Sequence, residues 1–138
     1  MSTTDNFRRQ HVELLELMSS VEHLLDPAKL ATEAPQIRHS LSALFGKLAV
    51  HLAAEDGSLY PRCQKHADPQ VRAIATKFAR EMESAKPTVE AFAHKWTDHE
   101  IIAKGAEFCS HAKHLFGILR DRIAREDKDF YPLVDKAG

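Results

Sequence analysis

Two stretches of the sequence repeat one another: HLAAEDGSLYP at residues 51–61 and RIAREDKDFYP at residues 122–132. Seven of the eleven aligned pairs are identical or similar apolar residues. Both stretches carry a Glu-Asp pair four residues after their first position and end in Tyr-Pro. The repeat indicates two equivalent elements in one chain, although it does not by itself identify a function.

Around these stretches, apolar residues recur every three to four positions, the spacing of amphipathic helices. The pattern predicts four helices and no strand, with bounds of 5–25, 34–57, 68–97 and 106–130. Asp26-Pro27 ends the first helix, and Pro87 should kink the third, because an internal proline removes a backbone hydrogen bond. Short connections favour antiparallel neighbours, so we expect an all-α, up-down-up-down four-helix bundle.

Length and composition limit the classes of protein. The 138 residues fit a single domain over residues 1–138, and 43% hydrophobic with 28% charged residues is typical of a packed globular protein. A net charge of -1 argues against nucleic-acid binding. No run reaches the roughly 18 apolar residues of a membrane span, so we expect a cytoplasmic protein. Cys63 and Cys109, on different predicted elements, should be free thiols.

Several ionisable residues fall on the apolar faces of the predicted helices. His51 and Glu55 lie on that of the second helix, Arg122 and Glu126 on that of the fourth, and His11 on that of the first. Antiparallel threading brings all of them to one end of the bundle. Burying such groups without partners costs several kcal/mol, so the cluster must be mutually paired or must bind a cation.

The spacing within the cluster is suited to metal binding. A His-x-x-x-Glu pair places both side chains on one helix face, and bundle interiors build di-iron and di-manganese sites from such groups. The chain resembles the hemerythrin-like, or HHE cation-binding, domain proteins over essentially its whole length. The resemblance implies a bound metal, iron first, with ligands on three helices: His11, His51 with Glu55, and Glu126.

Two positions depart from the family pattern. Arg122 replaces the histidine of the fourth helix, and its protonated guanidinium has no lone pair for a metal. The histidine of the third helix is also missing, and Glu81 is the residue that could substitute for it. Two imidazoles with two or three carboxylates suit one or two ions of iron or manganese, with zinc possible, and argue against reversible oxygen carriage.

Two hypotheses therefore stand. The first is a metal-binding protein, with a small diatomic molecule as a second ligand, for sensing, storage or detoxification of oxygen, nitric oxide or metal. In the second, Arg122 supplies the positive charge through bidentate pairs with Glu55 or Glu126, and the domain is a metal-free interaction module that could form a homodimer. An enzyme is less favoured, because no motif beyond the cluster indicates one.

The tyrosines of the repeat and the histidines outside the cluster are expected to have structural roles. Tyr60 and Tyr131, equivalent in the repeat, should cover the open end of the site, with hydroxyls reaching water or a carboxylate. His23 and His39 are out of phase with the cluster and should lie on flanks or in solvent. His111 is the inward candidate toward the opposite end, as a hydrogen-bonded core or boundary residue rather than a ligand.

Overall fold

The computed structural model describes residues 4–137, except for the side chain of Ser84. Its α-helices are α1 Asp5–Glu22, α2 Leu30–Ala54, α3 Tyr60–Gln64, α4 Pro69–Lys95, α5 Asp98–Ala103, α6 Gly105–Arg125 and α7 Tyr131–Ala137. A 3-10 turn, Pro27–Lys29, precedes α2, and π-helical turns at Glu55–Leu59 and Glu126–Phe130 continue α2 and α6. The described range contains no strand, and none of its helices is long and apolar enough to cross a membrane.

The second helix begins earlier than the sequence predicts. The predicted loop before residue 34 is reduced to the 3-10 turn, which Asp26 caps by accepting a hydrogen bond from the Ala28 amide. Leu30 and Ala34 are fully buried, so their packing extends α2 toward its N-terminus with Pro35 inside it. The predicted start was wrong because burial of these two residues outweighs the local cost of the proline.

The second and fourth helices also end later than predicted. The π turns lead directly into α3 and α7, so the backbone stays helical past residues 57 and 130, to Gln64 and Ala137. Pro61 does not end the helical backbone, because it lies in the first turn of α3, where its missing N–H is not required. The loop expected between residues 97 and 106, which includes Gly105, instead contains α5, and Thr97 caps this helix by accepting a hydrogen bond from the Glu100 amide. The kink expected at Pro87, inside α4, stays a prediction.

Polar pairs between the long helices run in opposite order along the two partners. Between α1 and α2, Gln10 contacts His51 and Glu13 contacts Lys47. Moving three residues forward on α1 therefore moves four residues backward on α2. This is the order in which antiparallel neighbours meet. The same reversal relates α6 to α1 and to α4, in the pairs Glu22–Arg120, His11–Glu126, Lys95–Glu107 and Glu81–Arg122.

The buried interior has two apolar clusters. The larger, here the main core, includes Met18, Leu41, Phe92, Trp96 and Phe108. The smaller, here the end cluster, is built around Tyr60, Phe78, Phe130 and Tyr131. Along α2 and the π turn that continues it, Leu48 belongs to the main core and Leu59 to the end cluster, and the intervening buried residues include polar ones. The bundle therefore holds a polar layer between two apolar ones.

The cysteines lie one in each cluster, Cys109 in the main core and Cys63 in the end cluster. Both are buried and unpaired, which confirms the prediction of free thiols. Burial raises the pKa of both thiols, so neither is activated as a thiolate nucleophile.

Candidate metal centre

The polar layer consists of His11, His51, Glu55, Arg122 and Glu126, all buried, with at most 6% of any residue exposed. The histidines and the arginine project from α1, α2 and α6, and each glutamate is the first residue of a π turn. Such turns occur frequently at functional sites, because they re-aim the side chains that leave the helix. The structure brings together all five residues that helical phase placed at one level.

Each histidine of the layer is oriented through its Nδ1 atom. His11 Nδ1 lies 2.8 Å from Asp127 Oδ1, and His51 Nδ1 lies 2.6 Å from Gln10 Oε1. Both partner atoms are acceptor oxygens, so each Nδ1 carries a proton and donates it. A neutral imidazole then has its free lone pair on Nε2. Metal-binding histidines are oriented by outer partners in this way.

The Nε2 atoms converge with the two carboxylates. They lie 3.1 Å from each other; His11 Nε2 lies 3.2 Å from Glu126 Oε1, and His51 Nε2 lies 3.0 Å from Glu55 Oε1. Glu55 Oε1 accepts no hydrogen bond from any described residue. Ligand atoms of His11, His51 and Glu126 all lie within 4.8 Å of one another. With neutral imidazoles, four lone-pair atoms face each other, an arrangement that a proton or a metal ion must stabilise.

The two tyrosines of the repeat orient the carboxylates. Tyr60 donates a hydrogen bond of 2.7 Å to Glu126 Oε2, and Tyr131 donates one of 3.1 Å to Glu55 Oε2. Each tyrosine therefore contacts the glutamate of the other repeat and leaves that residue's Oε1 directed at a histidine. The prediction that these hydroxyls reach a carboxylate is confirmed.

Arg122 lies beside the four converging atoms. Its Nη2 donates to the Tyr60 hydroxyl at 2.5 Å and to the Phe78 carbonyl at 2.6 Å, and its Nη1 donates to Glu81 at 3.2 Å. Its Nε–H has no hydrogen-bond partner among the described residues and lies 3.9 Å from Glu126 Oε1. The bidentate pair with a layer carboxylate that the metal-free hypothesis requires is therefore not formed.

Glu81, the candidate ligand from the third predicted helix, lies on α4 with 36% of its side chain exposed. It forms ion pairs with Arg122 at 3.2 Å and with Arg125 at 2.7 Å. The hydrogen bond from Arg125 outweighs burial and lowers the pKa of Glu81. The structure thus gives Glu81 two arginine partners, Arg122 and Arg125.

Comparison with protein families identifies the domain. A family model described as the hemerythrin HHE cation binding domain matches residues 2–134, nearly the whole chain. The chain belongs to the hemerythrin HHE family. No curated protein and no solved structure matches it. Membership in this family implies a cation, and in the described residues the polar layer gathers histidines and a carboxylate closely enough to hold one.

The donor set fits the metal that the hemerythrin HHE family implies. Imidazole nitrogens with carboxylate oxygens are ligands for iron, manganese and zinc. His11, His51, Glu55 and Glu126 supply two of each kind. No described residue donates a hydrogen bond to the buried Glu55 Oε1, as expected of an atom placed for a cation rather than for a proton donor of the protein.

The pKa values reflect the same crowding. Burial, followed by the charge of His11, lowers the pKa of His51 to about 4, so this imidazole is neutral at pH 7. Burial, together with hydrogen bonding to Glu126 and its charge, strongly raises the pKa of Glu55. Burial alone would raise the pKa of Glu126, but hydrogen bonding with Glu55 and the charge of Arg122 lower it. Without metal, a proton on Glu55 provides part of the missing positive charge.

Two functional contacts were missed from the sequence. Gln10 precedes His11 on α1 and carried no signal of its own. Asp127 belongs to the repeated Glu-Asp pair, which could have indicated it; however, the equivalent Asp56 forms an ion pair with Lys86 instead. Only one aspartate of the repeat reaches a histidine, so the repeat alone could not assign the role.

His23, His39 and His111 follow the predictions from helical phase. His23 and His39 are exposed. His111 is partly buried, and its Nδ1 accepts a 2.8 Å hydrogen bond from the indole of Trp96, so its predicted role as a hydrogen-bonded boundary residue is confirmed.

Proposed function

We propose that this domain binds one divalent transition-metal ion through His11, His51, Glu55 and Glu126. The observation that carries the proposal is the convergence of both Nε2 atoms with two carboxylates, while both Nδ1 protons are engaged elsewhere. Iron is the first candidate because of the family, and manganese and zinc are compatible with the same donors. Glu81 is left out of the proposed ligand set because of its arginine partners.

The proposal is for one ion rather than two. In the repeat, Arg122 takes the position that His51 has in the other half, so one half offers a histidine and the other a fixed cation. Hydrogen bonds to Tyr60 and the Phe78 carbonyl keep that cation against the layer. A second ion on this side would face a positive charge and would lose an imidazole ligand.

We propose a non-enzymatic role for the bound ion in sensing, storage or detoxification of oxygen, nitric oxide or the metal itself. A small diatomic molecule would be the second ligand. The two-histidine donor set argues against reversible oxygen carriage. A cytoplasmic location is part of this proposal, and the two buried, unpaired cysteines support it, because thiols remain reduced there.

Metal reconstitution tests the proposed function. The chain is purified without chelator, incubated anaerobically with Fe(II), desalted and analysed for metal, with thermal unfolding recorded in parallel. We expect about one equivalent and a raised midpoint, because a ligand that binds only the native state stabilises it by about 2.7 kcal/mol at 100 times its Kd. His51→Ala should abolish both effects, and His39→Ala, on an exposed site of the same helix, should change neither.

The alternative function is a metal-free interaction module, which the buried cation of Arg122 favours. This alternative predicts less than about a tenth of an equivalent of any transition metal in the purified chain. It also predicts that Fe(II) does not raise the unfolding temperature, whereas an ion that binds the native state must raise it. Light scattering would then determine whether the chain forms the homodimer that this alternative includes.

A further inference from the structure

Arg122 has a hydrogen-bond donor that no described residue accepts. Both terminal nitrogens of its guanidinium are engaged, by the Tyr60 hydroxyl, the Phe78 carbonyl and Glu81. Among the residues that the structure describes, the buried Nε–H has no acceptor, because Glu126 Oε1, at 3.9 Å, is too distant for a hydrogen bond. An unpaired buried donor is costly, so its retention calls for an acceptor that the protein chain does not supply.

The location of this donor limits the acceptor that could reach it. Arg122 lines a groove of about 290 Å³ between α4 and α6, together with Glu81, Met82, Leu119 and Arg125. The groove brings the protein surface next to the Arg122 side chain, although the Nε atom itself is buried. The Nε–H of Arg122 also lies next to Glu126, a member of the proposed ligand set. An acceptor there would contact both the arginine and the metal position.

We propose that Arg122 Nε–H is the specificity determinant for a small monoanion bound at the metal position. This inference rests on the proposed metal site. A charged guanidinium forms its strongest hydrogen bonds with anionic acceptors, so a small anion should compete with the diatomic ligand of the proposed function for this position. Arg122 is a positioning residue in this arrangement and contributes no ligand atom to the metal.

Azide is a suitable probe, because it is a small monoanion with terminal acceptor nitrogens. Calorimetric titration of azide into the Fe(II)-loaded chain, at constant ionic strength, is expected to show one site. Arg122→Met should weaken azide binding by about 10- to 100-fold, the range for a lost charge-assisted hydrogen bond, with metal content unchanged. Arg125→Met is the matched control, since Arg125 shares Glu81 but does not reach the layer, and should change azide affinity by less than about threefold.

Each outcome separates the two proposals. If the wild-type chain binds no metal, both fail. If it binds metal but azide affinity is the same in Arg122→Met, or azide does not bind, only the present inference is overturned. Should Arg122→Met fail to fold, Arg122→Lys keeps the cation without the planar Nε donor, and it must also lose about tenfold in azide affinity.

Discussion

Position 122 shows how one residue changes the chemistry of a repeated element. The equivalent residue of the other half, His51, presents a lone pair to the layer, whereas Arg122 presents donors and a permanent charge. The neighbouring glutamate and tyrosine are the same in both halves. The difference between the halves therefore depends on this side chain more than on the backbone.

The first prediction concerns this difference. Arg122→His should increase Fe(II) affinity relative to Arg122→Met, because both variants remove the cation but only histidine adds a ligand. The expected gain is about tenfold or more, measured by competition with a chelator of known affinity. Equal affinities in the two variants would show that position 122 influences the metal through charge alone.

Glu55 couples metal binding to pH. Its folded-state pKa is raised above the ordinary value of 4.5, so the metal-free native state retains a proton that the unfolded chain releases. The contribution of this proton to the free energy of unfolding is complete below the pKa that Glu55 has in the unfolded chain. It is lost as the pH rises from that value through the raised pKa of the folded state. A metal ion must displace this proton, so its affinity should increase with pH.

The second prediction follows from that sign. In the metal-free state, Glu55→Gln should become more stable relative to wild type between pH 5 and pH 8, because an amide does not titrate. Urea unfolding at several pH values measures the free-energy difference, and the titration of His51 is common to both proteins. The same variant should bind Fe(II) more weakly. Parallel pH profiles would contradict the raised pKa.

The site was predictable from the sequence where it depends on helical phase. The inward positions of His11, His51, Glu55 and Glu126 follow from their spacing with apolar residues. The partners of the longer side chains do not: the guanidinium of Arg122 reaches Tyr60 and Glu81, which no spacing rule specifies. Phase locates a Cα atom on a helix face, whereas the end of a long side chain depends on which acceptors lie within reach.

At the scale of elements, the two π turns give the repeat its structural meaning. Each turn begins at a layer glutamate and is followed directly by a tyrosine that contacts the opposite glutamate. The halves of the chain are thereby joined by reciprocal hydrogen bonds across the layer. Both π turns thus orient the carboxylates as well as continuing the helices.

The third prediction tests this reciprocity by double-mutant cycles. Tyr60→Phe should couple with Glu126→Gln, and Tyr131→Phe with Glu55→Gln, by about 1 kcal/mol in urea unfolding of the metal-free chain. The within-repeat pairs, such as Tyr60→Phe with Glu55→Gln, are the matched controls and should couple by less than about 0.5 kcal/mol. Larger coupling within a repeat than between repeats would refute the crossed arrangement.

Four long helices were predictable because their apolar spacing is regular over many turns. The ends were not, since Asp56-Gly57 and Pro61 are ordinary termination signals in a sequence. Burial of Leu59 and Tyr60 in the end cluster keeps the backbone helical past those signals. Tertiary packing therefore determines where these helices end, and the local sequence alone does not predict that packing.

On the scale of the whole molecule, stability and binding are assigned to different layers. The main core contains fully buried residues such as Leu41 and Phe92, whereas the polar layer contains ionisable groups whose burial is costly without a cation. The apolar layers can therefore maintain the fold while the polar layer remains available for a ligand.

The fourth prediction follows from this division. Leu41→Ala should lower the free energy of unfolding by about 2–5 kcal/mol while leaving the metal content of the folded protein unchanged. Val50→Ala, on the same helix but 65% exposed, should cost less than about 0.5 kcal/mol. Loss of metal from folded Leu41→Ala would show that the layers are not independent.

The central claim, a single metal ion held by the polar layer, is tested most directly by crystallography of the Fe(II)-loaded chain at the iron absorption edge. We expect one anomalous peak among His11, His51, Glu55 and Glu126, and no second peak beside Arg122. Absence of a peak from the layer, or a second peak next to the guanidinium, would contradict it.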